Sequence, residues 1–147
     1  MAEPNASNVI PSTVTLTLDV RHQTDSARRN AGKQLQKLAR RIAAARRMKV
    51  SSQLVQQTTS VACSRKLSGL LERAAKLHQP QIIRLPSGAG HDAAILAGIT
   101  PAAMLFIRCK GGISHHPDES ASRQDVQLAF LVLNDFVRLL AIEYGRF

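Results

Sequence analysis

Residues 13–21 read TVTLTLDVR. In an extended chain Val14, Leu16, Leu18 and Val20 point to one side. Thr13, Thr15, Thr17, Asp19 and Arg21 point to the other, which is the alternation of a half-buried strand. Thr24 or Asp25 can then open a helix. Ala31, Leu35, Leu38, Ile42 and Ala45 recur at helical spacing, with the cationic residues largely on the remaining faces. Residues 49–61, KVSSQLVQQTTSV, are a weaker strand candidate. The order strand, long helix, strand predicts a small α/β layer in which the helix covers one sheet face.

The pattern restarts after Cys63. SRKLSGLLERAAKLH, residues 64–78, reads as an amphipathic helix with Leu67, Leu70, Leu71, Ala74 and Leu77 facing inward. A short strand, QIIRL, leads into PSGAGHDAAILAGI, and PAAMLFIRCK, residues 101–110, has the continuous apolar run of a buried strand. Val126, Phe130, Leu133, Val137 and Leu140, spaced by three and four, predict a C-terminal helix. The expected organisation is two lobes, 1–62 and 63–147, with a boundary near residues 58–64.

The 147 residues suffice for a usable core, and the hydrophobic fraction of 44% is ordinary. Cys63 and Cys109 form neither a disulfide framework nor a metal-binding spacing, so a reducing compartment is the default. The N-terminal MAEPNASNVIPS lacks the features of a signal peptide, and no apolar run is long enough to span a membrane. The expected location is therefore the cytoplasm. A net charge of +10 arises largely between Arg28 and Lys49. Such a stripe can attract nucleic acid or anionic lipid, but a solvated helix face is the favoured reading, and without stacking aromatics nucleic acid is a disfavoured partner.

Three places can carry chemistry. SGAGHDA, residues 87–93, sets Gly88, Ala89 and Gly90 between a predicted strand and a predicted helix. Backbone N–H groups in such a loop approach a ligand closely; the alternative is a tight turn capped by Asp92. GGISHHPDE, residues 111–119, follows the predicted buried strand, where ligand sites gather in α/β folds. His115 or His116 suits zinc, yet a metal site needs about three protein ligands, and on local evidence alone an exposed loop histidine is the favoured reading. Arg21 is suited to gripping a carboxylate, or else pairs with Asp19. No nucleophile elbow or cysteine–histidine pairing is readable.

In order, PNASNVIPSTVTLTLDVRH, LPSGAGHDAAILAGITPAAMLFI and GGISHHPDESAS resemble the C-terminal part of the zinc-dependent amidohydrolases. These are the N-carbamoyl-L-amino-acid hydrolases, allantoate amidohydrolases and β-alanine synthases of the aminoacylase and carboxypeptidase superfamily. The resemblance covers nearly the whole chain. It implies a partial lid and dimerisation domain in residues 1–62 and the last part of a metallohydrolase catalytic domain in 63–147. It implies that His115 binds one of two divalent ions, zinc or manganese. His116 stands where the family often has asparagine. Asn8 and Arg21 match lid residues that reach substrate in the partner subunit of a homodimer, with Arg21 gripping the substrate carboxylate, and Gly88, Ala89 and Gly90 line the substrate pocket.

The implied reaction is metal-assisted hydrolysis of a C–N bond in a carbamoyl or ureido compound, with a glutamate as general base. That glutamate and the remaining metal ligands belong, in the family, to sequence that does not appear in these 147 residues, so no catalytic residue is assigned and the isolated chain is expected to be inactive. Ser12 replaces a common family glycine. A non-enzymatic dimerisation or binding module and a basic nucleic-acid-binding protein are the alternative readings. The resemblance further implies that the His115 loop and the Gly88–Gly90 turn border one cavity.

Overall fold

The structure, a computed structural model, describes residues 1–145. Among them are four α-helices and one two-stranded antiparallel sheet, a mixed α/β composition much poorer in strand than the alternation predicts. The chain divides into two compact units, Met1–Ser60 and Val61 onward.

In the first unit β1 (Ala2–Glu3) pairs antiparallel with β2 (Thr13–Val14), placing Ala2 opposite Val14 and Glu3 opposite Thr13. Ser12 clamps the hairpin, because both its backbone N–H, at 2.8 Å, and its hydroxyl, at 3.0 Å, donate to the Glu3 carbonyl. Beyond Val14 one more pair of bonds follows, the Thr15 N–H donating to the Met1 carbonyl at 2.8 Å and the Met1 amino group to the Thr15 carbonyl at 3.0 Å, and the strands expected over 13–21 and 49–61 are otherwise absent. Leu16 and Leu18 are 85% and 65% exposed instead of half-buried. Alternation decides which face of a strand is apolar, but the ladder itself needs a neighbouring edge, and none reaches residues 16–21 among the described residues.

α1 (Asp25–Ala45) forms where its spacing predicts. Thr24 is the N-cap residue but makes no side-chain cap bond. Asp25, in the first turn, accepts the Ser60 N–H at 3.1 Å and an Arg28 N–H at 3.2 Å. The Ser60 bond first, then Arg28, holds the Asp25 carboxyl below the usual carboxylate range. No residue of α1 is buried.

The second unit is organised around α2 (Arg65–Lys76) and α4 (Arg123–Tyr144). Each has a working serine cap: Ser64 Oγ accepts the Leu67 N–H at 3.3 Å, and Ser122 Oγ accepts that of Asp125 at 3.0 Å. Leu71, Ala74, Ala75 and Val132 form the core, and Ile82, Ala103, Leu105, Leu128, Phe136 and Leu139 pack against it. The small side chains of Ala74 and Ala75 let α4 approach closely. Leu77, expected inside, is exposed beyond the end of α2. On α4 the buried residues are Ala129 and Val132, whereas Val126, Phe130, Leu133 and Val137 are exposed. α4 is apolar almost all round, so spacing establishes the helix without choosing its buried face. Neither QIIRL nor 101–110 pairs as a strand. The latter still packs Ala103 and Leu105 onto the core, and its Ala102 carbonyl accepts the Ser64 N–H at 2.8 Å.

Candidate functional site

The loop carrying His115 is closed at its base. Cys109 and Ala121 form an isolated antiparallel bridge, and the Lys110 N–H donates to the Ser120 carbonyl at 2.7 Å. Gly111 and Gly112 turn the chain with φ of 64° and 71°, the left-handed region that glycine enters at little cost. His115 is left-handed too, with φ of 58°, a conformation histidine tolerates better than most side chains.

Glu119 holds that conformation. Its Oε2 accepts the His115 N–H at 2.8 Å, and its Oε1 accepts the Cys109 thiol at 3.7 Å. Its own N–H donates to the His116 carbonyl at 2.9 Å. Burial, then the Glu119 charge, pushes the Cys109 thiol above its ordinary range, which keeps the donating proton in place. His116 is turned toward Asp118: its Nδ1 accepts the Asp118 N–H at 3.2 Å and lies 3.5 Å from the carboxylate. The two adjacent histidines thus have different roles, His116 being used within the loop and His115 exposed at its bend.

In the 87–93 loop Ser87 Oγ accepts the Ala89 N–H at 3.1 Å and lies 2.6 Å from His91 Nε2. The N-cap position is His91, without a side-chain cap bond, and Asp92 is the first residue of α3 (Asp92–Leu96), so Asp92 is not the cap. With five residues, α3 offers little of the partial charge expected from a helix start. A Cβ added at Gly90 would meet nothing within 4 Å, so no neighbour in the chain demands glycine there. The His91 ring packs edge-on against Phe106 with centroids 5.8 Å apart. Phe106 stands three residues before Cys109, a reach of at most about 11 Å along the chain. The 87–91 loop and the base of the His115 loop therefore flank one segment.

An apolar cleft of about 360 Å³ opens in the second unit between Leu67, Leu71, Leu96, Leu105, Leu133 and Phe136. Neither His115 nor Gly88–Gly90 lines it. Among the described residues no group of three or more His, Cys, Asp or Glu side chains converges, so the donors present in this chain do not themselves fit a metal ion.

Asn8 and Arg21 belong to the first unit. Asn8 sits exposed in the turn between β1 and β2. Arg21 Nε and Nη2 both donate to Asp19 Oδ2, at 2.8 and 2.5 Å, and this bond holds the Asp19 carboxyl below its usual range. Both side chains are more than 60% exposed, so the pair is a surface ion pair.

Two participants lay outside the sequence reading. The Glu119 contacts follow from a left-handed residue and a distant bridge, neither of which has a spacing signature. The Ser87–His91 pair had a faint one, a hydroxyl and an imidazole four residues apart.

The profile of peptidase family M20/M25/M40 matches residues 3–139. A probable allantoate deiminase of Oryza sativa subsp. japonica is 33% identical over 95% of this chain and 31% of its own length. Allantoate deiminase 2 of Glycine max is 37% identical over 94% of this chain and 30% of its own. The N-carbamoyl-L-amino acid amidohydrolase of Geobacillus stearothermophilus is 35% identical over 94% and 34% respectively. No solved structure matches. The chain spans about a third of the length of these relatives, and with its family match running almost from end to end it belongs to the M20/M25/M40 peptidase family.

Proposed function

We propose that these 147 residues are part of a metal-dependent hydrolase of non-peptide C–N bonds, acting on a carbamoyl or ureido derivative such as an N-carbamoyl amino acid or allantoate. One observation carries the reading: relatives named for allantoate and relatives named for N-carbamoyl amino acids match the same stretch, over more than nine-tenths of the chain. The two substrate types have a carboxylate and a nearby C–N bond in common, and on this reading the stretch has a share in holding them.

Within that reading Arg21 orients the substrate carboxylate, releasing Asp19 to do so. Asn8 adds a hydrogen bond from the β1–β2 turn, and Gly88, Ala89 and Gly90 present backbone to the substrate. His115 gives one imidazole to a site for two divalent ions, zinc or manganese, whose other ligands and general base come from residues outside this chain. The protein works as a homodimer in the cytoplasm, residues 1–62 forming part of its lid and 63–147 part of the catalytic domain, with neither membrane nor nucleic acid as a partner. By itself the chain is inactive.

The test has two arms. The purified chain, with zinc or manganese added, should release no ammonia from N-carbamoyl amino acids or allantoate; turnover would overturn its inactivity. A chimera in which these residues replace the matched segment of the Geobacillus stearothermophilus enzyme should hydrolyse such a substrate and lose activity on His115→Ala. A folded chimera that is inactive, or one indifferent to His115→Ala, contradicts the assignment.

A further inference from the structure

Arg65, Gly69 and Arg73 recur every four residues on α2, so they follow one another along one row of the helix, the arginines about 12 Å apart at Cα. The row lies on the side away from Leu71, Ala74 and Ala75, which pack toward α4. The lysines beside it are engaged. Lys66 pairs with Glu143 of α4 at 3.1 Å and lies 4.1 Å from the centre of the Tyr144 ring, and Lys76 pairs with Glu72 at 2.7 Å. Arg65 and Arg73 are exposed and make no ion pair among the described residues. Between them Gly69 leaves an opening, because a Cβ added there would meet nothing within 4 Å. Glycine is, proline aside, the residue least suited to a helix interior. No neighbour among the described residues demands it here, so what the missing side chain provides is access to the helix wall. A cavity of about 260 Å³ opens at this point, lined by Arg65, Lys66, Gly69, Leu70, Arg73 and Glu143. Its three cations and one carboxylate leave two positive charges in excess.

From the open Gly69 position between these two arginines we infer that the notch on α2 binds a small phosphate monoester. A phosphate group carries close to two negative charges at about pH 7, which match the excess lining the cavity. Its three terminal oxygens can meet both guanidinium forks at once, one from each end of the row. A carboxylate has two oxygens and satisfies a single fork, so it binds here less well. The ligand is small because the cavity falls below the roughly 300–1,000 Å³ of sites for drug-sized molecules. A polyanion such as nucleic acid would have to run past the Glu143 carboxylate at the rim, and no Phe or Trp lines the cavity for a base to stack on. Glu143 also keeps Lys66 to one side, leaving the arginines to hold the ligand. The inference stands apart from the hydrolase reading, since it uses no residue of the proposed substrate or metal site.

The test follows the Leu70 amide of the whole chain by NMR while glycerol 3-phosphate is added at a constant ionic strength of about 0.15 M. The signal should shift and saturate at a concentration at least about tenfold lower than acetate requires. The double variant Arg65→Gln, Arg73→Gln should raise that concentration about tenfold or more. Arg123→Gln, which removes an exposed cation about 30 Å away at the start of α4, should leave it unchanged. Gly69→Leu fills the notch and should weaken binding as much as the double variant does. It keeps the circular dichroism spectrum of the parent, since leucine suits a helix better than glycine. An amide that does not move, acetate acting as strongly, or undiminished binding in the double variant or in Gly69→Leu overturns the inference. So does duplex DNA shifting the Leu70 amide at a lower phosphate concentration than glycerol 3-phosphate.

Discussion

The Glu119 carboxylate accepts the backbone N–H of His115 at 2.8 Å across the bend of a loop whose ends are joined at Cys109 and Ala121. One side chain thereby holds the left-handed residue and, through its second oxygen, the thiol at the base of the loop. Glu119→Ala should speed amide exchange at His115 by about threefold or more, since an opened loop exchanges in proportion to its open population. Glu119→Gln keeps an acceptor oxygen and should restore most of the protection. Identical exchange in both variants and the parent, read by NMR, would show that the loop holds its shape without this contact.

The α2–α4 contact makes a contrast between two neighbours on one helix. Val132 is 2% exposed and Phe130 is 72% exposed. Val132→Ala empties space against Ala74 and should destabilise the protein by about 1–3 kcal/mol. Phe130→Ala, although it removes a larger side chain, should stay within about 0.5 kcal/mol. Denaturant unfolding followed by circular dichroism distinguishes the two.

Ser64 has two bonds at the start of α2, from its hydroxyl to the Leu67 N–H and from its N–H to the Ala102 carbonyl. Ser64→Ala removes the first alone. A cap loss of about 1 kcal/mol is expected, visible as a lower unfolding midpoint with an unchanged denaturant slope.

Glu72 bridges Lys76, at 2.7 Å, and Arg84. The Lys76 bond first, then Arg84, lowers its carboxyl from the ordinary 4.5 to about 2. A carboxyl depressed in the folded state contributes stability above its unfolded value and loses it as pH falls toward the folded one. The window is therefore from about pH 4.5 down to about pH 2. Glu72→Gln should flatten the fall in unfolding midpoint across that window and leave the slope above pH 5 alone. A parent and a variant with parallel profiles would contradict it.

The helices were legible in the sequence because a helix satisfies its own backbone. α1, α2 and α4 appear where their spacing places them. Strands were not, since a strand is completed by another segment: Leu16 and Leu18 alternate correctly and still find no ladder. The same distinction runs through the candidate site. The motifs identified His115 and the Gly88–Gly90 turn, but the left-handed His115 backbone depends on a residue four positions away and on a bridge spanning twelve. The buried face of α4 was hidden for a third reason, namely that Val132 is buried through its packing with Leu71, Ala74 and Ala75 of another helix, which the spacing within α4 does not show.

The run TVTLTL, residues 13–18, which is laddered only at its start, has a further consequence. Six β-prone residues without charge or proline, outside any ladder beyond Thr15, are a template onto which a second chain can add and start a fibril. Asp19 and Arg21 stand directly after it, and charges so placed act as gatekeepers against stacking. Neutralising both positions at once should raise the yield of thioflavin-positive aggregate above that of the parent chain.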